Sequence, residues 1–190
     1  ASFHVEDYTL AEKYATMATT HRKYQLLADT GKEQWTIIGA YLHLAQRLRL
    51  YEPEKGSRFS SFRLSTYLNS VPEESKVKKV SNVLILISHA FFLILDGEFD
   101  AAEKRIEYLK VYGSRYLKER HYQRVRIFIR LLQAVPRNSF LSDEIRKDNA
   151  DLYEQLKLSA EDHLPAQINE YIPFETLYEA LLEYLEKYEE

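Results

Sequence analysis

The sequence predicts an all-α protein, and three observations support this class. Apolar residues recur at steps of three and four along most of the chain, as they do on one face of a helix. Gly, Pro or short polar runs separate these stretches. The 190 residues include only five Gly and five Pro, too few for a protein with many β-turns. Because no low-complexity linker divides the chain, we expect one domain over residues 1–190.

Three helices are expected in the first part of the chain. Asp29-Thr30-Gly31 should end the first, because Gly is favoured just after a helix. Pro53 and Gly56 should close the second, and Pro72 the third. The predicted helices run from Val5 to about Leu27, from Lys32 to about Leu50, and from Ser60 to Leu68, followed by a charged loop from Glu73 to Lys79.

The rest of the chain is expected to form five more helices. Gly97 and Gly113 are predicted to end two of them, and Ser142 is a suitable N-cap for a later one. Ala166–Ile172 is either a short strand or an extended segment. The predicted helices span Val80–Leu95, Phe99 or Asp100 to Tyr112, Tyr116 to Val135-Pro136, Ser142–Leu158 and Phe174–Tyr188.

The strongest pair of helices resembles a known repeat. The spacing is Ala90-x2-Leu93-x3-Gly97-x-Phe99-x2-Ala102-x3-Ile106, which is similar to the middle of a tetratricopeptide repeat. Small residues there let two helices pack closely, and the glycine permits a tight turn. Trp35-x2-Ile38-Gly39-x2-Leu42 is a second, partial match. The resemblance implies degenerate tetratricopeptide-like hairpins stacked in a right-handed α-α superhelix.

Several short motifs, spread over nearly the whole chain, resemble a family of uncharacterised tetratricopeptide-like proteins of Bacteroidetes. They are Gln34-Trp35 with Ala40-Tyr41-Leu42, Phe62-Arg63-Leu64, Asn69-Ser70-Val71-Pro72, Ser75-Lys76-x-Lys78, Ser114-Arg115-Tyr116-Leu117, Ile127 to Phe140, and Tyr171-Ile172-Pro173-Phe174-Glu175-x-Leu177. Members are often longer at the N-terminus, so the resemblance allows this chain to be the C-terminal portion of a longer protein. It implies the fold and brings no catalytic residue.

Charge is unevenly distributed along the sequence. Residues 54–130 hold 15 Lys/Arg against 9 Asp/Glu, whereas residues 131–190 hold 5 against 14. The cations are either solvated helix faces or the lining of one groove, since stacked hairpins place equivalent faces side by side. In the second case we expect a groove for an anionic ligand or a peptide. Its candidate residues are Arg58, Arg63, Lys76, Lys78, Asn82, Arg115, Tyr116 and Arg124.

Catalytic and metal-binding motifs are not evident. Asp29-Thr30-Gly31 matches the tripeptide of aspartic proteases, but those enzymes need a β-rich frame. The chain has no Cys, and no two His are spaced as in a helical zinc motif. The Glu residues of the last predicted helix lack the Glu-x-x-His partner of a diiron site. The sequence therefore predicts a protein that is not an enzyme and uses no cofactor or metal.

The expected function is a non-catalytic scaffold for a protein or peptide partner, located in the cytoplasm, with no membrane segment and with nucleic acid an improbable ligand. One alternative is a nucleic-acid-associated or regulatory protein that uses the basic middle of the chain, residues 54–130. The other is an enzyme with a site of Tyr, His and Arg. A further possibility is that the acidic C-terminal helix packs on the basic middle, from the same chain or from a second copy.

Overall fold

The computed structural model describes residues 7–53, 56–57, 59, 62–70, 79–159 and 170–189. Over these residues the chain is helical without a β-strand, as the sequence predicts. The proposed strand or extended segment at Ala166–Ile172 lies mostly outside them. The helices are α1 (Tyr8–Thr20), α2 (Asp29–Arg47), α3 (Leu64–Ser70), α4 (Lys79–Leu95), α5 (Phe99–Tyr116), α6 (Gln123–Arg137), α7 (Ser142–Asp148), α8 (Ala150–Leu158) and α9 (Phe174–Glu189).

Helix α4 forms the centre of the core because it is apolar on every side. Residues 82–95 are all buried. A helix that is apolar all round has to be covered from several directions, and α4 packs against α2, α3 and α5. One continuous cluster of buried apolar side chains extends from these helices to α6 and α9.

The predicted hairpin of α4 and α5 is confirmed. Gly97 adopts φ +76°, a conformation that costs glycine little. The amides of Gly97 and Glu98 donate hydrogen bonds to the carbonyls of Ile94 and Leu93 at 3.0 and 2.8 Å. Ala90 and Ala102 are completely buried, as expected for small side chains between two closely packed helices.

The contacts of the side chains fix the relative directions of the main helices. Tyr41 Oη donates to the Leu84 carbonyl at 3.0 Å, and Arg47 Nη2 donates to the Leu95 carbonyl at 2.8 Å. Later residues of α2 thus meet later residues of α4, so the two helices run in the same direction. Helix α6 runs opposite to α5, because Phe99 at the start of α5 packs on Phe140 just after α6, with ring centroids 4.5 Å apart.

Two helix ends predicted from glycine are wrong. Gly113 lies inside α5, which continues to Tyr116. A Cβ atom on Gly113 would be 3.1 Å from Ile129 Cδ1, so the glycine allows α5 and α6 to approach closely. Asp29-Thr30-Gly31 forms the start of α2 instead of ending the first helix. Asp29 stands in the first turn, where the helix dipole favours a carboxylate.

Other boundaries also differ from the prediction, among them the start of α3, which lies at Leu64 and not at Ser60. Helix α1 ends at Thr20, where a 3-10 turn over Tyr24–Leu26 soon follows, so the helix does not reach Leu27. Helix α6 begins at Gln123 after a 3-10 turn over Arg120–Tyr122. The helix predicted from Ser142 to Leu158 is divided into α7 and α8 at Asn149, whose φ of -123° is not helical. Leu141, one residue earlier than Ser142, is the N-cap residue of α7.

Helix α9 and the residues before it pack on helices from both halves of the chain. Phe174 stacks on Phe128 of α6, with centroids 4.3 Å apart and planes 8° apart. Tyr184 Oη donates to the Leu95 carbonyl at the end of α4 at 3.0 Å. Just before α9, the Tyr171 ring lies 5.4 Å from that of Tyr41 in α2. Helix α9 itself packs on α6, α7 and α8, and single contacts of the C-terminal segment reach α2 and α4.

Candidate functional site

The eight residues predicted to line a groove do not all lie in the described part of the chain. Arg58, Lys76 and Lys78 fall outside it. Arg63 is exposed just before α3, and Arg115 is exposed in the last turn of α5. Asn82, Tyr116 and Arg124 have specific contacts, described next.

Asn82 and Tyr116 are joined through a residue that the prediction omitted. Asn82 is only 2% exposed, and its Nδ2 donates to Tyr112 Oη at 3.2 Å. The ring of Tyr112 lies 4.7 Å from that of Tyr116, one turn later on α5. Burial raises the pKa of the Tyr112 phenol, and the hydrogen bond from Asn82 lowers it in part. The four-residue spacing of Tyr112 and Tyr116 in the sequence places both on one helix face, so the spacing alone could have identified Tyr112 as a neighbour of Tyr116.

Arg124 is held by two carboxylates of the C-terminal segment. Its Nε and Nη2 donate to the two oxygens of Glu170 at 2.6 and 3.0 Å. Its Nη1 and Nη2 donate to the carboxylate of Glu175, with the Nη1 contact at 2.7 Å. Nη1 also reaches the Leu156 carbonyl at 2.9 Å and Ser159 Oγ at 3.4 Å. Every guanidinium nitrogen thus donates to the protein itself.

The Arg124 cluster is largely shielded from solvent. The side chains of Arg124, Glu170 and Glu175 are 19%, 15% and 20% exposed. The guanidinium also lies over the Phe174 ring, 5.7 Å from its centroid. Burial acts to lower the pKa of Arg124, but the hydrogen bonds with Glu175 and Glu170 outweigh it and raise the pKa. The residue is permanently charged and already fully bonded, so the structure gives it a role in packing the C-terminal segment.

The acidic C-terminal helix contacts the basic region 54–130 of the same chain through Glu175 and Arg124, which is one of the sequence-based possibilities, whereas its second pair uses Arg146 outside that region. Glu175 pairs with Arg124, and Glu179 one turn later pairs with Arg146 of α7. The Arg146 and Glu179 side chains are 39% and 36% exposed, so this second pair lies near the surface.

Three other cations remain on the surface. Arg115, Lys118 and Arg120 are exposed and form no ion pair with another residue in the described part of the chain. They stand where α5 passes into α6, and we call them the basic turn. Arg126 has a different role, because its Nη1 donates to the carbonyls of Leu117, Lys118 and Glu119 at 2.8, 2.9 and 3.0 Å. It fixes the backbone that carries the basic turn.

One surface depression and the described titratable residues bear on whether the chain has a ligand or metal site. A shallow depression of about 550 Å³ on α5 is lined by Asp100, Glu103, Lys104 and Glu107, all carried by a single helix. Among the residues described, no group of three His, Asp or Glu could hold a metal ion. None of the described helices is long and apolar enough to cross a membrane.

His43 is the histidine whose surroundings most affect its protonation. Its ring stacks on Phe62 at 4.9 Å and lies 5.8 Å from Phe92. Burial lowers the pKa of the imidazole, and the charge of Arg47 lowers it further. The Phe59 backbone, the Gln46 side chain and Asp96 act in the opposite direction without cancelling these effects. Burial between aromatic rings therefore favours the neutral form of His43.

We expect His43 to make the protein less stable in mild acid. The unfolded chain binds a proton on this residue near its ordinary pKa of about 6.5, before the folded chain does. Stability is therefore full above that pH and falls as pH decreases toward the lower folded pKa, by at most about 1.4 kcal/mol per pH unit. Urea unfolding between pH 5 and pH 8 should show this slope. His43→Phe, which keeps the ring stacking, should flatten it, whereas His21→Gln at an exposed site should not. An unchanged slope in His43→Phe would assign the effect to other groups.

In comparisons with known proteins, no protein-family model, curated protein or solved structure matches the chain.

Proposed function

We propose that the chain is a non-catalytic scaffold that binds a protein or peptide partner. We also propose that it is a degenerate tetratricopeptide-like stack, of the kind found in the uncharacterised Bacteroidetes family that its motifs resemble. In such a stack, alternate helices run in parallel and line one face.

The helix directions support this architecture. Helices α2 and α4 run in the same direction, with the short α3 between them in sequence. Helices α4 and α6 are both antiparallel to α5. They contact each other through Phe91 and Phe128, whose ring centroids are 6.4 Å apart. The same alternation continues through α7 and α8 to α9, whose first residue, Phe174, stacks on Phe128. A right-handed superhelix of hairpins has this order of neighbours.

The observation that carries the binding proposal is the basic turn. Arg115, Lys118 and Arg120 are exposed cations at the junction of two well-packed helices, without an ion pair to another described residue. Rigid elements hold binding residues more accurately than mobile loops do. Clustered Arg and Lys recognise carboxylates or phosphates on a partner and speed its association. The partner that fits best presents an acidic surface, and Arg124 is excluded from contact with it.

The test is a comparison of captured partners. Immobilised wild type is incubated with a lysate of the source organism, beside Arg115→Glu/Lys118→Glu/Arg120→Glu. A control variant, Lys104→Glu/Arg130→Glu/Lys147→Glu, makes the same change in charge at other exposed positions. We expect a partner held by wild type and control, lost by the basic-turn variant and released in high salt. If all three proteins capture the same partners, binding does not use the basic turn. Capture of nucleic acid alone would favour the nucleic-acid alternative.

A further inference from the structure

Helix α1 has two apolar faces, and within the described part of the chain only one of them is covered. Tyr8, Ala11 and Ala15 are buried toward α2. On the opposite side Leu10, Tyr14 and Met17 follow one another at i, i+4 and i+7, which places them in one stripe. Tyr14 and Met17 are 54% and 58% exposed, and we call this stripe the outer face of α1. Apolar anchors at this spacing are the pattern by which helices recognise one another.

The exposed apolar side chains of the described residues are concentrated at this end of the molecule. Eight large apolar residues are exposed, and half of them, Tyr14, Met17, Leu26 and Leu27, lie within one stretch of sequence. Leu26 is 81% exposed. Groups of exposed apolar side chains often mark an interaction site. The inner helices α2, α4 and α5 each pack on helices to both sides, whereas α1 packs mainly on α2 and the 3-10 turn that follows it.

The charges along α1 indicate what covers the outer face. Asp7 is exposed at the N-terminal end of the helix, and His21, Arg22 and Lys23 are exposed at its C-terminal end. Two copies of α1 packed antiparallel bring the acidic end of each against the basic end of the other. The same arrangement opposes the helix dipoles favourably. The two ends of the surface are thus complementary to each other in charge.

We propose that the outer face of α1 is a self-association surface, at which a second copy of this chain packs antiparallel about a two-fold axis near Tyr14. In this register Tyr14 meets Tyr14 of the second copy, Leu10 lies beside Met17 of the second copy, and Asp7 lies beside its His21. An isologous contact of this type is closed, so it produces dimers and not fibres. The inference does not depend on the proposed scaffold function.

The dimer is expected to be weak. One helix face with a few apolar side chains buries less than the roughly 1,600 Å² of a standard interface. Lys13 on one flank of α1 also comes near Lys13 of the second copy, and like charges oppose association. We therefore expect dissociation constants on the order of 100 μM, within the range of transient contacts.

Sedimentation equilibrium of the full chain, from about 10 to 500 μM, tests the association directly. We expect a monomer–dimer equilibrium for wild type and for the control Tyr108→Glu, which alters an exposed tyrosine on α5. Met17→Glu should weaken the dimer about tenfold or more, because it buries a charge in the contact. Met17 is exposed, so folding should be unaffected, as circular dichroism can verify. A wild type that stays monomeric, or a dimer unaffected by Met17→Glu, would overturn the proposal.

Single cysteines test the geometry, because the chain has none of its own. Tyr14→Cys lies near the proposed axis and should form an intermolecular disulfide rapidly under mild oxidation. Tyr108→Cys is the matched control, since Tyr108 is 47% exposed and lies on another helix. Equal rates of cross-linking for the two variants would show that the contact is not at α1.

Discussion

Replacing Arg124 with Met is expected to lower the free energy of unfolding by about 3–5 kcal/mol. The guanidinium is the common partner of Glu170 and Glu175, whose side chains are 15% and 20% exposed. Without it, two carboxylates face each other in a poorly solvated space, and the Leu156 carbonyl keeps only the donor that Ser159 Oγ supplies. Removing one member of a buried ion cluster is costly because the remaining charges stay uncompensated. Urea unfolding followed by circular dichroism would measure the change.

Two further variants identify the cause of that loss. Arg146→Met breaks the pair with Glu179, but these side chains are 39% and 36% exposed, so the cost should stay below about 1 kcal/mol. The triple variant Arg124→Met/Glu170→Gln/Glu175→Gln removes all three charges and should recover part of the stability. If it is no more stable than Arg124→Met, the lost energy reflects packing of the arginine stem and not the charge cluster.

The helices that could be predicted from the sequence are those whose pattern depends only on their own residues. Helix α4 begins within one residue of the predicted start and ends just before Gly97, because its residues are mostly apolar and only Asn82, Ser88 and His89 interrupt the buried run. Helix α9 was predicted equally well from its apolar spacing and the preceding Pro173. In both cases local chemistry and tertiary packing favour the same boundary.

The boundaries that could not be predicted depend on contacts between distant residues. Gly113 is a strong helix-ending signal in the sequence, but it lies inside α5, at a position where a Cβ atom would come within 3.1 Å of Ile129 Cδ1 of α6. Similarly, Asp29-Thr30-Gly31 begins α2, since its acidic residue suits the N-terminal turn. A glycine that ends a helix and one that permits close packing look the same in sequence.

The candidate site illustrates the same limit for charge. The excess of cations in the middle of the chain and of acids at the end was visible in the composition, and it anticipated that the two regions meet. It could not tell which cations the acids would use. Glu170 and Glu175 engage Arg124, whereas Arg115, nine residues earlier, stays exposed. Which cations remain for a partner is therefore decided by the packing of α9.

Removing residues 170–190 is expected to abolish cooperative folding of the chain. Helix α9 buries six large side chains almost completely, each at most 2% exposed: Phe174, Leu177, Tyr178, Leu181, Leu182 and Leu185. Burial of such a side chain contributes about 1.5–3 kcal/mol, so the helix contributes on the order of 10 kcal/mol. That equals the whole stability of a typical domain. The truncated chain should lose its near-ultraviolet dichroism and bind a hydrophobic dye.

The same truncation decides between a structural and a regulatory role for α9. A helix that is displaced to open a binding surface has to leave a folded protein behind, and its release has to cost only a few kcal/mol. Glu183→Ala, at an exposed position of α9, serves as the control and should stay within about 0.5 kcal/mol of wild type. If the truncated chain unfolds cooperatively with its aromatic dichroism intact, α9 is a displaceable gate, and the surface of α6, α7 and α8 beneath it becomes a binding site. If the truncated chain does not fold, α9 is structural, and partners can bind only to surfaces that α9 leaves open. Among these surfaces, the exposed cations of the basic turn make it the best candidate for binding an acidic partner.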